Sequence, residues 1–512
     1  MFTRFHVGKV ESNLFDSAQF KSWATSVSNI YKSTEKGNAA MVVTLTNRYG
    51  DETLASMLTA AKEIPDTKDV ASSMLKAQID SWVVQKTPAD EVFKILKLDK
   101  AGYKLFASPS WTRWMTYAEN RGNTNPYELL LSILIKRFSD DKIATMLARS
   151  KTELDTKIAS DALENALHQK WMSVGKSEDD VFKLLKLHQE GTTKLLKNPV
   201  LSTWISYVSK KEMLDPYEEL LFKLAKQYDD ETLLEFIFAS KEVTSTSTIA
   251  KNLEDALPKY WLGKRKTADD VFTLLKLKNV DKEKLFDSPT WKTWISYLTA
   301  KSTQYKVEKN PDGMMYVVLK EHYGTKDVET MITKAKKSKS TEAIATKLQE
   351  EVWRSEKLSA NDVFHLLKLS YEGDDFLTSP ALSTWISYAT KLGKFDKGYS
   401  RDRMAITELE KHIPYEDLAR KIDNVMDQAL IDKNTVVVNT VGILQKEQFL
   451  QWLYKRWEPD VLEWNLSKRN PNPVRDRKVA LTYLDFFDAN KALREQILNE
   501  LRLKDRLAQR LG

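Results

Sequence analysis

Apolar residues recur along this 512-residue chain in blocks with helical spacing, and one block occurs four times. Residues 181–187, VFKLLKL, are apolar at five of their seven positions. An amphipathic surface helix needs only about three or four apolar positions per two turns. Close copies are VFKILKL at 92–98, VFTLLKL at 271–277 and VFHLLKL at 363–369. The pattern therefore predicts a short helix that is buried on two faces.

Tryptophan marks two more positions of the same repeat. One series is followed three residues later by tyrosine, except in its first copy, and consists of Trp23, Trp114, Trp204, Trp294 and Trp385 with Tyr117, Tyr207, Tyr297 and Tyr388. A second series consists of Trp82, Trp171, Trp261, Trp353 and Trp452. These two positions take ten of the fourteen tryptophans, which indicates an internal repeat of about 90 residues. Residues three apart share a helical face, so we expect Trp and Tyr to form the core of each repeat.

The repeats also carry helix-start signals. A hydroxyl residue precedes aspartate by three positions, a variant of the capping box, at Thr87 and Asp90, Ser177 and Asp180, Thr267 and Asp270, and Ser359 and Asp362. Further helices are predicted where Asn, Asp or Ser precedes proline, at 108–109, 125–126, 198–199, 215–216, 288–289, 310–311 and 379–380. With about four or five helices per repeat and no convincing strand, the sequence predicts an all-α fold.

Composition agrees with a helical array. Glycine (15) and proline (14) together make up under 6% of the chain, against roughly 12% on average, which disfavours a loop-rich or all-β protein. We predict a linear tandem array of helical bundles that forms an elongated rod. Its six predicted repeats are 1–75, 76–165, 166–255, 256–347, 348–440 and 441–512.

The VF blocks are predicted to join neighbouring repeats. One apolar face of each helix serves its own bundle, and the other is free for the adjacent bundle. Burying three extra apolar side chains contributes about 5 to 8 kcal/mol before entropy is counted. The predicted joint residues are Val92, Phe93, Leu96, Val181, Phe182, Leu185, Val271, Phe272, Leu275, Val363, Phe364 and Leu367.

Nothing in the sequence predicts catalysis. The chain has no cysteine, its six histidines are isolated, and no phosphate-binding loop or nucleophile motif occurs. The aspartate pairs at 179–180, 229–230 and 269–270 lie at predicted helix starts, where they complement the helix dipole. We therefore predict that the protein is not an enzyme and binds no metal or cofactor.

Charge and hydropathy disfavour two classes of partner. The net charge of +7 is small beside 79 basic and 72 acidic residues, which are interspersed along the chain. Nucleic-acid binding is therefore not predicted. No run of 18 apolar residues occurs, so no membrane span is predicted either. We expect a soluble monomer whose partner is a protein.

Together these motifs resemble the tandem-repeat RXLR effectors of Phytophthora, oomycete pathogens of plants, which are built from WY and LWY modules. The VF block matches the L motif, the first tryptophan series the W motif and the tyrosines the Y position, over nearly the whole chain. By this resemblance 1–75 is an opening WY repeat, the next four are LWY repeats, and 441–512 is a degenerate LWY-like repeat. Neither RXLR nor EER occurs, as we expect of an effector whose leader has been removed.

The resemblance implies a secreted virulence effector that acts in the plant cytoplasm, with the nucleus as a further candidate compartment. It also implies a non-catalytic adaptor that binds the A scaffolding subunit of host protein phosphatase 2A, together with the catalytic subunit. The adaptor would mimic a regulatory B subunit, redirect dephosphorylation and suppress immunity and RNA silencing. The alternative is a scaffold that binds another host protein of immunity or RNA silencing without a phosphatase.

Docking residues cannot be carried over from the family, because they lie outside the repeat motifs. The first two junctions are the most regular, so we place the phosphatase-docking surface in residues 1–250 and substrate selection in the later repeats. Tyr127, Arg137 and Lys142 follow the second W helix and are the candidate partner-binding residues.

Overall fold

Helices form the fold wherever the structure describes the chain. The structure is a computed structural model, and it describes residues 1–10, 12–122, 125–211, 214–305, 310–395, 403–469 and 471–511. These residues contain α-helices and short 3-10 helices but no β-strand, which confirms the predicted all-α fold of tandem helical repeats. They divide into an amino-terminal half, Met1–Ala256, and a carboxy-terminal half, Leu257–Gly512.

The α-helices follow one another closely in both halves. Those that begin in the amino-terminal half are α1 (Ala18–Tyr31), α2 (Thr34–Tyr49), α3 (Asp51–Lys62), α4 (Lys68–Val84), α5 (Ala89–Ile95), α6 (Trp111–Asn120), α7 (Pro126–Leu134), α8 (Asp140–Ser150), α9 (Leu154–Ser173), α10 (Glu178–Leu184), α11 (Thr192–Leu195), α12 (Leu201–Ser209), α13 (Pro216–Leu224), α14 (Asp230–Lys241) and α15 (Ser247–Gly263). Those of the carboxy-terminal half are α16 (Ala268–Leu274), α17 (Pro289–Tyr305), α18 (Pro311–Tyr323), α19 (Thr325–Ala335), α20 (Glu342–Ser355), α21 (Ala360–Leu366), α22 (Pro380–Phe395), α23 (Met404–Leu409), α24 (Tyr415–Ile431), α25 (Thr435–Tyr454), α26 (Pro459–Leu466), α27 (Pro473–Ala489) and α28 (Lys491–Leu511).

The VF blocks form the four L helices α5, α10, α16 and α21, each seven residues long. They are short because a lysine beyond each helix adopts a left-handed backbone, with φ of 56° at Lys97, 57° at Lys186, 53° at Lys276 and 62° at Lys368. The last leucine of each block then opens a buried 3-10 turn instead of extending the helix. The 3-10 helices are Val7–Lys9, Leu14–Asp16, Pro65–Thr67, Leu98–Lys100, Gly102–Lys104, Leu187–Gln189, Leu277–Asn279, Leu285–Asp287, Leu369–Tyr371 and Gly373–Thr378.

Three of the four predicted capping boxes are confirmed, at Ser177 with Asp180, Thr267 with Asp270, and Ser359 with Asp362. The box predicted for Thr87 and Asp90 is wrong. Aligning Phe93 with Phe182 places Pro88 opposite Ser177, and Pro88 is the N-cap residue of α5. Proline has no side-chain oxygen with which to cap a helix, so the carboxylate of Asp90 is free to pair elsewhere.

Helices run through the predicted limits of the repeats. The five boundaries between 75 and 441 fall inside α4, α9, α15, α20 and α25, which we call the joint helices. Each joint helix carries one tryptophan of the second series. The six-repeat division stays a prediction, but at each of its boundaries the chain continues through helical residues without a linker.

The core consists of separate aromatic clusters. In the amino-terminal half one cluster surrounds Trp23, which packs edge-on against Phe2 and Phe20. In the carboxy-terminal half one cluster surrounds Trp385 and another surrounds Trp452. The grouping fits repeats that each bury their own aromatic side chains.

Candidate partner-binding surfaces

The W-motif tryptophans are buried, and their indole N–H groups fix the start of the L helix. Each donates to the carbonyl of the first L-helix residue: Trp114 to Ala89 (3.3 Å), Trp204 to Glu178 (2.9 Å), Trp294 to Ala268 (2.9 Å) and Trp385 to Ala360 (2.7 Å). All four side chains are 0% exposed. A stacking platform for single-stranded nucleic acid needs exposed rings, so these tryptophans provide none.

The tyrosines fix the residue just before the same helix. Each hydroxyl donates to the carbonyl five positions after a tryptophan of the second series: Tyr117 to Thr87, Tyr207 to Lys176 (2.7 Å), Tyr297 to Lys266, Tyr388 to Leu358 (2.6 Å) and Tyr483 to Trp457 (2.8 Å). Tyr483 lies in the predicted last repeat, and Ala480 stands where the other repeats have the W-motif tryptophan. The Y contact therefore persists in a repeat that has lost its W.

The L phenylalanines pack inside their own repeats. Their rings contact the W tryptophans edge-on, for Phe93 and Trp114 (5.7 Å between centroids), Phe182 and Trp204 (5.3 Å), Phe272 and Trp294 (5.0 Å), and Phe364 and Trp385 (5.1 Å). The L helix α5 also packs against α3 of the preceding repeat. Lysines at the L-helix ends reach the preceding repeat as well, since Lys97 pairs with Glu52 at 3.5 Å and Lys186 with Asp141 at 3.0 Å.

A basic side chain covers the L phenylalanine of the second repeat. The guanidinium of Arg137 lies 5.7 Å from the ring centroid of Phe93 and pairs with Asp90. Burial opposes ionisation of Asp90, but hydrogen bonds from Arg137 and Lys94 outweigh it and lower the pKa of that carboxyl. Arg137 thus stabilises the L helix by a cation–π contact and an ion pair.

The third and fourth repeats have equivalent covers built from other residues. The ammonium of Lys223 lies 5.2 Å from the ring of Phe182 and pairs with Asp179, whose pKa this hydrogen bond lowers. The imidazole of His322 stacks on Phe272 at 5.0 Å and is hydrogen-bonded to Asp269 at 2.5 Å. Asp90, Asp179 and Asp269 occupy one repeat position. A basic side chain therefore covers the L phenylalanine in three repeats, and each time the carboxylate at the same repeat position holds it.

Buried polar contacts hold neighbouring repeats together inside each half. In the amino-terminal half Arg113 of α6 donates to the carbonyl of Ala55 at 3.3 Å, and burial lowers its pKa to about 10. Between the second and third repeats, Thr203 of α12 donates to Glu164 of α9 at 2.8 Å. In the carboxy-terminal half, Lys391 of α22 pairs with Asp312 of α18 in the preceding repeat at 3.1 Å and with Glu350 of the joint helix α20 at 2.7 Å.

Grooves between two helices recur on three repeats and offer apolar side chains to solvent. The groove between α2 and α4 has a volume of ≈540 Å³ and is lined by Val43 and by Val84, which is 81% exposed. The groove between α7 and α9 measures ≈380 Å³ and is lined by Ile135. In the carboxy-terminal half the groove between α18 and α20 measures ≈650 Å³ and is lined by Val317. Apolar patches inside a polar surface are typical of protein-binding sites.

The three residues predicted to bind a partner do not form one site. Arg137 is engaged with Asp90 and Phe93, and its side chain is 20% exposed. Tyr127 is half-buried beside Trp111, with 6.4 Å between ring centroids. Lys142 is exposed on α8. Among the described residues no hydrogen bond, ion pair or ring contact joins these three.

Sequence reasoning missed the grooves and the buried polar joints. It treated His168 as an isolated histidine, but the structure places its ring at the joint of the second and third repeats, with 0% exposure. One signal was available in the sequence. Six residues after the W tryptophan, the third and fifth repeats have Lys210 and Lys391, whereas the second and fourth have Asn120 and Ala300. A repeated position that changes from neutral to charged indicates a contact that differs between joints.

Two classes of site are absent from the described residues. Their His, Asp and Glu side chains form no group of three or more that could hold a metal ion. None of the helices found there is long and apolar enough to cross a membrane. The candidate functional surfaces are the three grooves and the exposed apolar side chains that line them.

Known proteins share both motif and sequence with the chain. The WY-domain family of effector PexRD54 matches residues 77–118 and 167–208, each of which contains one second-series tryptophan and one W–Y pair. A solved structure titled "The Crystal Structure of PcRxLR12" is 30% identical, covers 82% of this chain and 100% of its own, and superposes with a TM-score of 0.42.

Curated relatives extend the likeness to most of the chain. The RxLR effector protein PSR2 of Phytophthora sojae is 28% identical over 468 residues, which are 90% of this chain and 68% of that protein. The RxLR effector protein CRE15 of Phytophthora infestans is 35% identical over 260 residues, 50% of this chain and 73% of CRE15. RxLR effectors are secreted proteins that enter host cells. With CRE15 matched at this identity over nearly three quarters of its length, the chain belongs to the RxLR effector family of virulence proteins.

Proposed function

We propose that the protein is a non-catalytic adaptor that binds the A scaffolding subunit of host protein phosphatase 2A, with its catalytic subunit, and redirects dephosphorylation. The observation that supports it is the recurrence of one apolar groove on the first two repeats, between α2 and α4 and between α7 and α9. Repeat arrays bind partners over extended surfaces built from such successive elements. The chain would take the place of a regulatory B subunit.

The first groove is suited to a protein partner. Val84 is 81% and Val43 47% exposed, and the ion pair of Lys76 and Asp80 lies on the same groove wall. An apolar centre with a charged rim is the arrangement of stable protein interfaces. Displacing a resident subunit needs an interface of about 1,600 Å² or more, and two successive grooves supply more surface than one.

The remaining repeats select the phosphoprotein in this proposal. The carboxy-terminal half carries its own groove, between α18 and α20, so a second partner can bind while the first two repeats hold the A subunit. The protein acts as a monomer in the host cytoplasm, with the nucleus as a second compartment. Host immunity and RNA silencing are the processes that redirected dephosphorylation would suppress.

Pull-down of purified A subunit by the full-length chain tests the docking site. The variants Val84→Arg and Ile135→Arg each place a charge in one groove, and we expect each to weaken binding about tenfold, since a central apolar contact contributes about 1.4 kcal/mol or more. The control is Val474→Arg on α27, a site that is 85% exposed and far along the sequence. Loss of binding by the control alone would refute the placement. No binding by the unmodified chain would favour the scaffold that acts without a phosphatase.

A further inference from the structure

The L phenylalanine of the fifth repeat, Phe364, is partly exposed, and no basic side chain of the described residues covers its ring as in the three preceding repeats. Phe364 is only partly buried, whereas Phe93 and Phe272 are 0% exposed. A cavity of ≈210 Å³ adjoins the ring of Phe364, and its lining includes Phe376, Trp385 and Leu409. The second, third and fourth repeats fill the corresponding place with Arg137, Lys223 or His322.

The cover is missing because its carboxylate is missing. Counting from each L phenylalanine, Asn361 occupies the position of Asp90 and Asp269. Counted from the next helix instead, His412 corresponds to Arg137 and His322, because each of the three lies two residues before the N-cap of that helix, which is Pro414, Ser139 or Gly324. Both Asn361 and His412 line the cavity, but no hydrogen bond or ion pair between them is present. A neutral amide attracts a basic side chain far less than a carboxylate does, so the aromatic face stays uncovered.

We propose that this cavity binds the side chain of an arginine presented by a partner protein, which replaces the cover that the other repeats supply from within. A planar guanidinium can stack on the ring of Phe364, as Arg137 does on Phe93. Glu408 lines the cavity with its side chain 8% exposed, and its ion-pair partner Lys411 is 59% exposed. An incoming arginine can therefore compete with Lys411 for this carboxylate at little cost.

The size of the cavity favours one side chain over a small-molecule ligand. Its ≈210 Å³ exceeds the roughly 30 Å³ that one water occupies, and it lies below the about 300–1,000 Å³ of typical ligand pockets. The site lies in the carboxy-terminal half and does not depend on which protein binds the grooves of the first two repeats.

Methyl NMR of the full-length chain with labelled isoleucine tests the proposal. Ile413 lines the cavity, and buried Ile332 on α19 serves as the internal reference. The probes are the N-acetyl amides of arginine, lysine, leucine and tryptophan at matched ionic strength. We expect a saturable shift of the Ile413 methyl group with the arginine probe, at about fivefold or higher affinity than with any other. Tighter binding of the leucine or tryptophan probe, or no saturable shift, would overturn the proposal.

Two matched double variants separate binding from folding. Asn361→Asp with His412→Arg rebuilds the pair that Asp90 and Arg137 form, so the cover should close and arginine affinity should fall about fivefold or more while the melting temperature is kept or raised. Asp90→Asn with Arg137→His should open the same cavity over Phe93 and create a second arginine site. Unchanged arginine affinity in the first variant, or no added site in the second, would contradict the assignment.

Discussion

The joint between the second and third repeats and the joint between the fourth and fifth use the same repeat position for different chemistry. Three residues before the second-series tryptophan stands His168 in α9 and Glu350 in α20. Six residues after the W tryptophan stands Lys210 in one case and Lys391 in the other. The first joint thus places a lysine near a histidine, and the second places a lysine against a carboxylate.

At the first joint the histidine is buried and neutral. Its Nε2–H donates to the carbonyl of Thr203 at 3.2 Å, and its Nδ1 has no hydrogen-bond partner. Burial, and next the positive charge of Lys210, lower the pKa of His168 to about 3. At this repeat position the joint therefore relies on a neutral side chain, while Glu164 of the same helix accepts from Thr203 and pairs with Lys151.

At the second joint the lysine itself is buried. Lys391, with its side chain 9% exposed, lies 2.7 Å from Glu350 and 3.1 Å from both Glu351 and Asp312. Burial opposes its charge, but the three carboxylates outweigh burial and raise the pKa of Lys391. The difference teaches that one repeat position accommodates either a neutral or an ionic contact, and that the two contacts should fail under different conditions.

Removing the lysine should have the largest effect. Lys391→Met leaves three carboxylates close together without their cation, and loss of one partner of a buried ion pair costs about 3–5 kcal/mol. Denaturant unfolding followed by circular dichroism measures the change. Lys394→Met, on the exposed side of the same helix, is the control and should stay within about 0.5 kcal/mol. Equal losses of unfolding free energy in both variants would show that the ion cluster around Lys391 does not stabilise the joint.

Because of His168, the free energy of unfolding should fall by about 2 kcal/mol between pH 7 and pH 5. Its folded pKa of about 3 lies below the unfolded value near 6.5. The unfolded chain therefore binds the extra proton, and stability falls as pH drops below about 6.5. The control His168→Gln keeps a donor for the Thr203 carbonyl and should have a flatter pH dependence of unfolding. A histidine variant as acid-sensitive as the unmodified chain would contradict this.

At the second joint the pH dependence of stability has the opposite sign. The folded pKa of Lys391 lies above its unfolded value, so its contribution is complete below the unfolded lysine pKa of about 10.4 and is lost only as pH rises through the folded one. Comparing the pH profiles of His168→Gln and Lys391→Met therefore assigns acid sensitivity to the first joint and alkaline sensitivity to the second.

Thr203→Val should cost about 1–2 kcal/mol at pH 7. It removes the hydroxyl that donates to the buried carboxylate of Glu164 and leaves only Lys151 at 2.5 Å to satisfy that group. Thermal melting measures the loss. The control is Thr384→Val. Thr384 occupies the same repeat position, directly before Trp385, but makes no comparable contact to a buried carboxylate. A similar loss of stability in this variant would attribute the effect to the helix instead of the joint.

The smallest effect is expected from Lys210→Gln. Lys210 is exposed and bonds to Asn165, so its removal should change stability at pH 7 by less than about 0.5 kcal/mol. Because its charge helps to depress the pKa of His168, the variant should lose less stability than the unmodified chain between pH 5 and pH 4. An unchanged acid profile would mean that burial and the charge of Lys151 lower the pKa of His168 without help from Lys210.

Repeat spacing made much of the fold predictable. The W, Y and L positions and three capping boxes follow from local patterns, and aligning the repeats on Phe93 would also have exposed Pro88 as the residue that breaks the fourth box. The left-handed lysines were not predictable, since this conformation usually takes glycine or asparagine. Neither the burial of His168 nor the engagement of Arg137 follows from its own segment, because each depends on a helix far along the sequence.

The joint helices constrain how such a chain can gain or lose repeats during evolution. Because α4, α9, α20 and α25 pass through the predicted boundaries, a recombination event there splices one helix to another. Each residue advances an α-helix by about 100°, so an offset of a single residue would turn the incoming tryptophan away from its core. Crossovers between repeats are productive only when both parents are cut at the same helical phase, which favours exchange of whole repeats of conserved length.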